Sequence, residues 1–158
     1  MIIERIYIGA PSGDSQQEVP AVQVIAGAGI VGDRYFGRHD EPGQNITFVE
    51  AEAIESFQDL HARPRDLSVT RRNVVTRGVR LNELVGKEFI AGGLRFRGVE
   101  LCEPCLGLGQ ALSSAALAPP AVVKAFVHRA GLRADALSSG ELRQGAQLEC
   151  EASGQARA

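Results

Sequence analysis

The stretch EFIAGGLRFRGVELCEPC, Glu88 to Cys105, decides the fold of this chain. Glu88 to Ala91 and Leu94 to Leu101 read as two short strands. The Gly92-Gly93 dipeptide between them suits a tight hairpin turn, whose central residues need positive φ. Phe96, Gly98 and Glu100 alternate with Arg95, Arg97, Val99 and Leu101, which leaves the inward face of the second strand open. The strand ends in two thiols, Cys102 and Cys105.

Upstream, Ile2 to Ile8 and Val19 to Ile25 read as strands separated by a polar turn, Pro11 to Glu18. Gly27 to Asn45 is too rich in glycine and charge for a regular element, and long loops inside compact domains commonly carry function. Thr47 and Glu50 have capping-box spacing ahead of a helix over Ala51 to His61, which Pro64 ends. Asn73 to Thr76 is a β-branched run, and Leu81 to Val85 a helical turn closed by Gly86. Downstream, helices are expected over Leu106 to Ser113 and Ala121 to His128. Leu132 to Leu137 and Glu141 to Glu149 should form a closing hairpin through Ser138-Ser139-Gly140. Short strands with two or three helices predict a mixed α/β fold built on a β-barrel or strongly bent sheet. The absence of long βαβ alternation argues against a doubly wound sheet. Residues 1–150 read as a single domain and 151–158 as a disordered tail.

The 158 residues are 44% hydrophobic and 23% charged, as in ordinary globular proteins. A net charge of −2 provides no global field for nucleic acid or anionic lipid, so any anion site must be local. No apolar stretch approaches the ~20 residues of a membrane span. The N-terminus lacks a cleavage-site pattern. Three cysteines, an odd number, suit a reducing compartment, so the cytoplasm is expected.

Cys102 and Cys105 form C-x-x-C, a spacing compatible with zinc ligation, dithiol redox cycling or one reactive thiol. A structural zinc site needs four ligands, and only Cys150 and three scattered histidines remain to complete one. Both thiols could equally be small buried hydrophobes. The arginines favour chemistry. Arg63 to Arg80 holds six arginines against one acid, Asp66, a local balance of +5. Arg71 and Arg72 open the apolar run and should point to alternate faces of a strand, placing one guanidinium inside. A guanidinium there needs an anionic partner: a bound phosphate, or a carboxylate such as Asp33 or Glu100. Asn73 could donate or accept beside it. His39, His61 and His128 are isolated in sequence.

Read in order, GDRYFGRH, RRNVVTRGVRLNELVGKEF, LCEPC and GLRADALSSGELRQGAQLE resemble the MOSC domain, the molybdenum cofactor sulfurase C-terminal domain. The likeness runs from about Ile3 to Glu149. It implies a β-barrel-rich α/β fold, of the pyruvate-kinase-barrel type, with a few peripheral helices. It also implies binding of molybdenum cofactor (molybdopterin), transfer of sulfur, or both. By the resemblance, Cys105 is the metal-ligating or sulfur-carrying cysteine, and Arg71 and Asn73 contact the pterin phosphate and its surroundings. Asp33 and Arg34 match the family's GD-R turn; Arg72 and His39 complete the candidate cofactor-binding set. Cys102 could resolve a persulfide on Cys105.

Larger relatives fuse the domain to a pyridoxal-phosphate cysteine desulfurase, or carry an N-terminal extension and reduce N-hydroxylated compounds. This chain contains neither part, and pyridoxal phosphate is not expected to bind it. The expected partners are a cysteine desulfurase or an electron-transfer protein. A molybdenum-dependent reductase and a non-catalytic cofactor-storage module are the alternative functions.

Overall fold

The computed structural model describes residues 1–11 and 16–150. Its strands and helices, in chain order, are β1 (Ile2–Ile8), β2 (Gln17–Glu18), β3 (Ala21–Ile25), β4 (Gly29–Ile30), β5 (Ile46–Glu50), α1 (Ala51–Leu60), β6 (Val74–Arg77), β7 (Glu88–Ala91), β8 (Leu94–Leu101), α2 (Leu106–Leu112), α3 (Pro119–Ala125), β9 (Leu132–Ala136), β10 (Gly140–Arg143) and β11 (Leu148–Cys150). A 3-10 turn, Leu81–Leu84, lies between β6 and β7.

The β7–β8 hairpin forms as its sequence predicts, with Ala91 opposite Leu94 and both turn glycines at positive φ. Leu94, Phe96 and Gly98 face inward, while Arg95 and Arg97 share Glu88 on the outer face. A register shift between Gly98 and Glu100 ends the alternation and turns the chain toward the cysteines.

One mixed sheet runs β11-β7-β8-β9-β5-β6-β1-β2, with a smaller sheet β10-β3-β4 beside it. The large sheet curls until β1 meets the segment entering β11. The Ile3 amide donates to the Ala146 carbonyl at 2.8 Å and the Leu148 amide to the Met1 carbonyl at 3.0 Å. The fold is therefore the mixed, barrel-rich α/β architecture that the sequence implied. Phe48, Phe89 and Phe96 fill its centre, with ring centroids 5.3 to 5.7 Å apart. Outside the barrel, α1 lays Ala51 and Ile54 on Tyr7, Val49 and Val75. A separate cluster gathers Cys102 with Phe57, Leu108, Leu112, Val122 and Phe126 under α2 and α3.

Four expectations are corrected. Thr47 and Glu50 belong to β5 and form no capping box; Glu50 occupies the N-cap position without a side-chain cap bond. Ile46, Phe48 and Val49 are buried there between β9 and β6, and this two-sided pairing outweighs the local capping signal. The closing hairpin does not form. β9 is already flanked by β8 and β5, so β10 pairs with β3 and β11 with β7. Arg71 and Arg72 precede β6, and Arg71 adopts φ 59°, so the two do not alternate across a strand. The last helix starts earlier than expected, with prolines in its first turn, and stops at Ala125. Residues 12–15 of the expected polar turn and the expected tail, 151–158, lie outside the described residues.

Candidate functional site

The loop between β4 and β5, the segment leading into β6 and the start of β9 converge on a cavity of about 200 Å³. Tyr35, Arg38, Gly43, Gln44, Thr47, Arg72 and Arg133 line it. Three of these are arginines and none is a carboxylate, so the cavity is a local positive site in a chain of net charge −2. The Arg72 Nε donates to the Ala130 carbonyl at 2.9 Å, which fixes the direction of its guanidinium. Among the described residues, neither Arg38 nor Arg72 pairs with a carboxylate. Arg133 has Glu100 at 3.7 Å, a long contact on an exposed rim.

The two thiols of C-x-x-C sit in opposite environments. Cys102 is 2% exposed, and burial pushes its pKa up against the pull of Arg72 and Arg133. Cys105 is exposed at the N-cap of α2. Its side chain makes no full capping bond, yet the Leu108 amide, then the Gly107 amide and the Arg72 charge, hold its thiol below the ordinary range. Arg72 thus acts on the Cys105 thiol while lining the arginine cavity. The more exposed thiol is the outer one, and it is also the one held below the ordinary range.

Of the candidate site residues read from the sequence, Arg72 alone lines this cavity. Arg71 lies beside it in sequence, and its carbonyl accepts from the Gln16 amide at 2.9 Å. Asn73 is buried and its amide is committed to Thr47, Tyr7 and Asp33. Asp33 is buried and accepts from Gly9, Tyr35 and Asn73. Arg34 stacks its guanidinium 4.7 Å from the Tyr35 ring centre, and exposed His39 bonds the Gly37 carbonyl at 2.5 Å. Arg38, Arg133, Tyr35, Gln44 and Thr47 were missed. Arg38 and Arg133 lie within GDRYFGRH and GLRADALSSG, but 95 positions apart, so nothing local signals that they meet. Among the described residues no three His, Cys, Asp or Glu side chains gather as a metal cluster.

The sequence profile of the MOSC domain matches residues 36–149. The chain belongs to the MOSC domain family. The fold is shared with YuaD from Bacillus subtilis at TM-score 0.80 and 21% identity, covering 94% of this chain and 93% of that one. YiiM from Geobacillus stearothermophilus aligns at TM-score 0.75 and 18% identity over 98% of this chain and 77% of its own. YiiM from Escherichia coli gives 0.67 and 14%, over 98% and 71%. A comparison with curated protein sequences returned no match. At these identities the solved structures speak for the fold, while membership of the MOSC family rests on the profile. No helix among the described residues is long and apolar enough to cross a membrane.

Proposed function

We propose that this MOSC domain binds the phosphate-bearing molybdenum cofactor at the arginine cavity, with Cys105 as its sulfur ligand. The observation that carries this reading is Arg72, which lines an acid-free cavity and also favours the exposed Cys105 thiolate. The residues fit the anionic end of such a group: Arg38, Arg72 and Arg133 supply the charge, and Thr47 and Gln44 supply neutral polar groups. A volume of about 200 Å³ is below the ~300–1,000 Å³ of sites that enclose whole ligands. The cavity therefore holds a head group and leaves the remainder at its rim. When bound, the cofactor would supply a redox-active, sulfur-loving metal, for which a thiolate is a suitable soft ligand.

The exposure of Cys105 also favours a second reading, sulfur carriage. The Cys105 thiolate attacks the outer sulfur of a donor's cysteine persulfide; a new S–S bond forms, the donor's S–S bond breaks, and the donor leaves as its thiolate. The donor is a cysteine desulfurase, whereas the reductase alternative requires an electron-transfer protein. Both readings require a free thiol and hence a reducing compartment, the cytoplasm.

Metal analysis, pterin fluorescence and intact mass of protein from a cofactor-competent host test these readings together. Stoichiometric molybdenum and pterin, both lost in Cys105→Ser, are expected for cofactor binding. A mass increase of one sulfur atom on Cys105 without molybdenum selects the carrier. Neither signal removes both.

A further inference from the structure

The segment between β4 and β5 supplies four of the seven residues around the arginine cavity: Tyr35, Arg38, Gly43 and Gln44. It belongs to no sheet over these positions, so its place depends on individual bonds. At its N-terminal end Asp33, 6% exposed, is satisfied by three N–H donors from three segments. One oxygen accepts from the Gly9 amide at 2.8 Å and from Asn73 Nδ2 at 3.2 Å; the other accepts from the Tyr35 amide at 3.1 Å. Asn73 carries the connection on to Thr47: its Oδ1 accepts from the Thr47 amide and hydroxyl, both at 3.1 Å. The Asn73 amide returns a bond to the Thr47 hydroxyl at 3.0 Å. Thr47 and Tyr35 both line the cavity, and Arg72 immediately precedes Asn73. At the other end the Gly43 amide donates to Asp135 at 2.7 Å. Gly43 has φ 79°, and a Cβ there would stand 3.2 Å from that of Arg133, so the strap lies directly on the third arginine.

We infer that Asp33 and Asn73 are positioning residues: they latch the 31–44 strap over the cavity, and Asp135 latches its far end. Asp33 and Asn73 touch no ligand in this role. They set the separation between Arg38 on the strap and Arg72 and Arg133 on the barrel, on which binding of one anion by all three depends. This rests on the anion-binding reading proposed above.

Asp33→Asn tests it, because the amide puts an N–H donor where one of the bound donors must be accepted. Inorganic phosphate is the probe, titrated by calorimetry. Phosphate affinity should fall about tenfold or more. Hydrogen exchange of residues 34–44 should speed up, and the pH profile of Cys105 alkylation should stay in place. A purely structural loss would shift the alkylation profile as well, since α2 and Arg72 would move with the rest. Asp135→Ala removes the acceptor of the far latch and should move affinity and exchange in the same direction by less. It serves where Asp33→Asn does not fold. Unchanged phosphate affinity in the folded variants overturns the positioning role. If the unaltered protein does not bind phosphate, the anion reading fails, and exchange over 34–44 still decides whether the latch exists.

Discussion

Arg72 and Arg77 come from the same short run, RRNVVTR, and have opposite fates. Arg77, at the end of β6, meets Glu55 in a two-pronged contact at 2.7 and 3.1 Å and reaches Glu4 at 3.3 Å. Its pKa is pushed up, first by the hydrogen bonds to Glu55, and Glu55 is held below the ordinary carboxylate range. Arg72, just before β6, has a backbone carbonyl as its partner and turns toward the cavity. Residue type and strand are nearly the same. The carboxylates within reach decide which arginine holds the fold together and which is available to a ligand.

The largest expected effect separates these roles by binding. Arg72→Ala should weaken inorganic phosphate binding by about 10- to 100-fold, corresponding to charged hydrogen bonds of about 1.5–3 kcal/mol. The same variant should raise the Cys105 thiol pKa, read as a displacement of the alkylation rate profile to higher pH, because the Arg72 charge now lowers it. Equal phosphate binding in Arg72→Ala and the unaltered protein would erase the distinction between the two arginines.

Arg77→Ala should leave phosphate binding unchanged and cost about 1 kcal/mol of stability, read as a lower urea midpoint. The figure is modest because the Arg77 side chain is 37% exposed and solvent screens the pair. The smallest effect is its pH dependence. With its folded pKa depressed, Glu55 contributes stability that is complete above its unfolded value and is lost as pH falls through the folded one. The urea midpoints of Arg77→Ala and the unaltered protein should therefore converge below about pH 4. A gap that persists in acid would assign the loss to packing of the Arg77 stem instead.

Legibility in the sequence followed the range of the interactions. β7, β8 and their glycine turn were readable residue by residue, because hairpin geometry is local. β5 was hidden: Thr47 and Glu50 imitate a helix cap, and the pairing that makes the segment a strand comes from β6 and β9, about 26 and 86 positions away. The closing segments failed for a similar reason, since a strand already flanked on both sides cannot accept a hairpin partner. At the site, a thiol pair near a surplus of arginine was legible from the C-x-x-C spacing and the arginine density, but not which arginine lines the cavity. Arg38, Arg133 and the latch formed by Asp33 and Asn73 were not legible as a group, because barrel closure brings them together.

The sequence by itself determined the hairpin, the bent-sheet class, the order of the MOSC motifs and the presence of a thiol near a surplus of arginine. These follow from periodicity, turn chemistry and charge density, all written within short windows. Only the tertiary structure decided that Cys105 is the exposed thiol and Cys102 the buried one, that Arg72 faces the cavity while Arg77 is paired, and that Asp33 and Asn73 bind each other. Burial and charge pairing depend on which distant segments arrive beside a residue, and the curl of the sheet sets that.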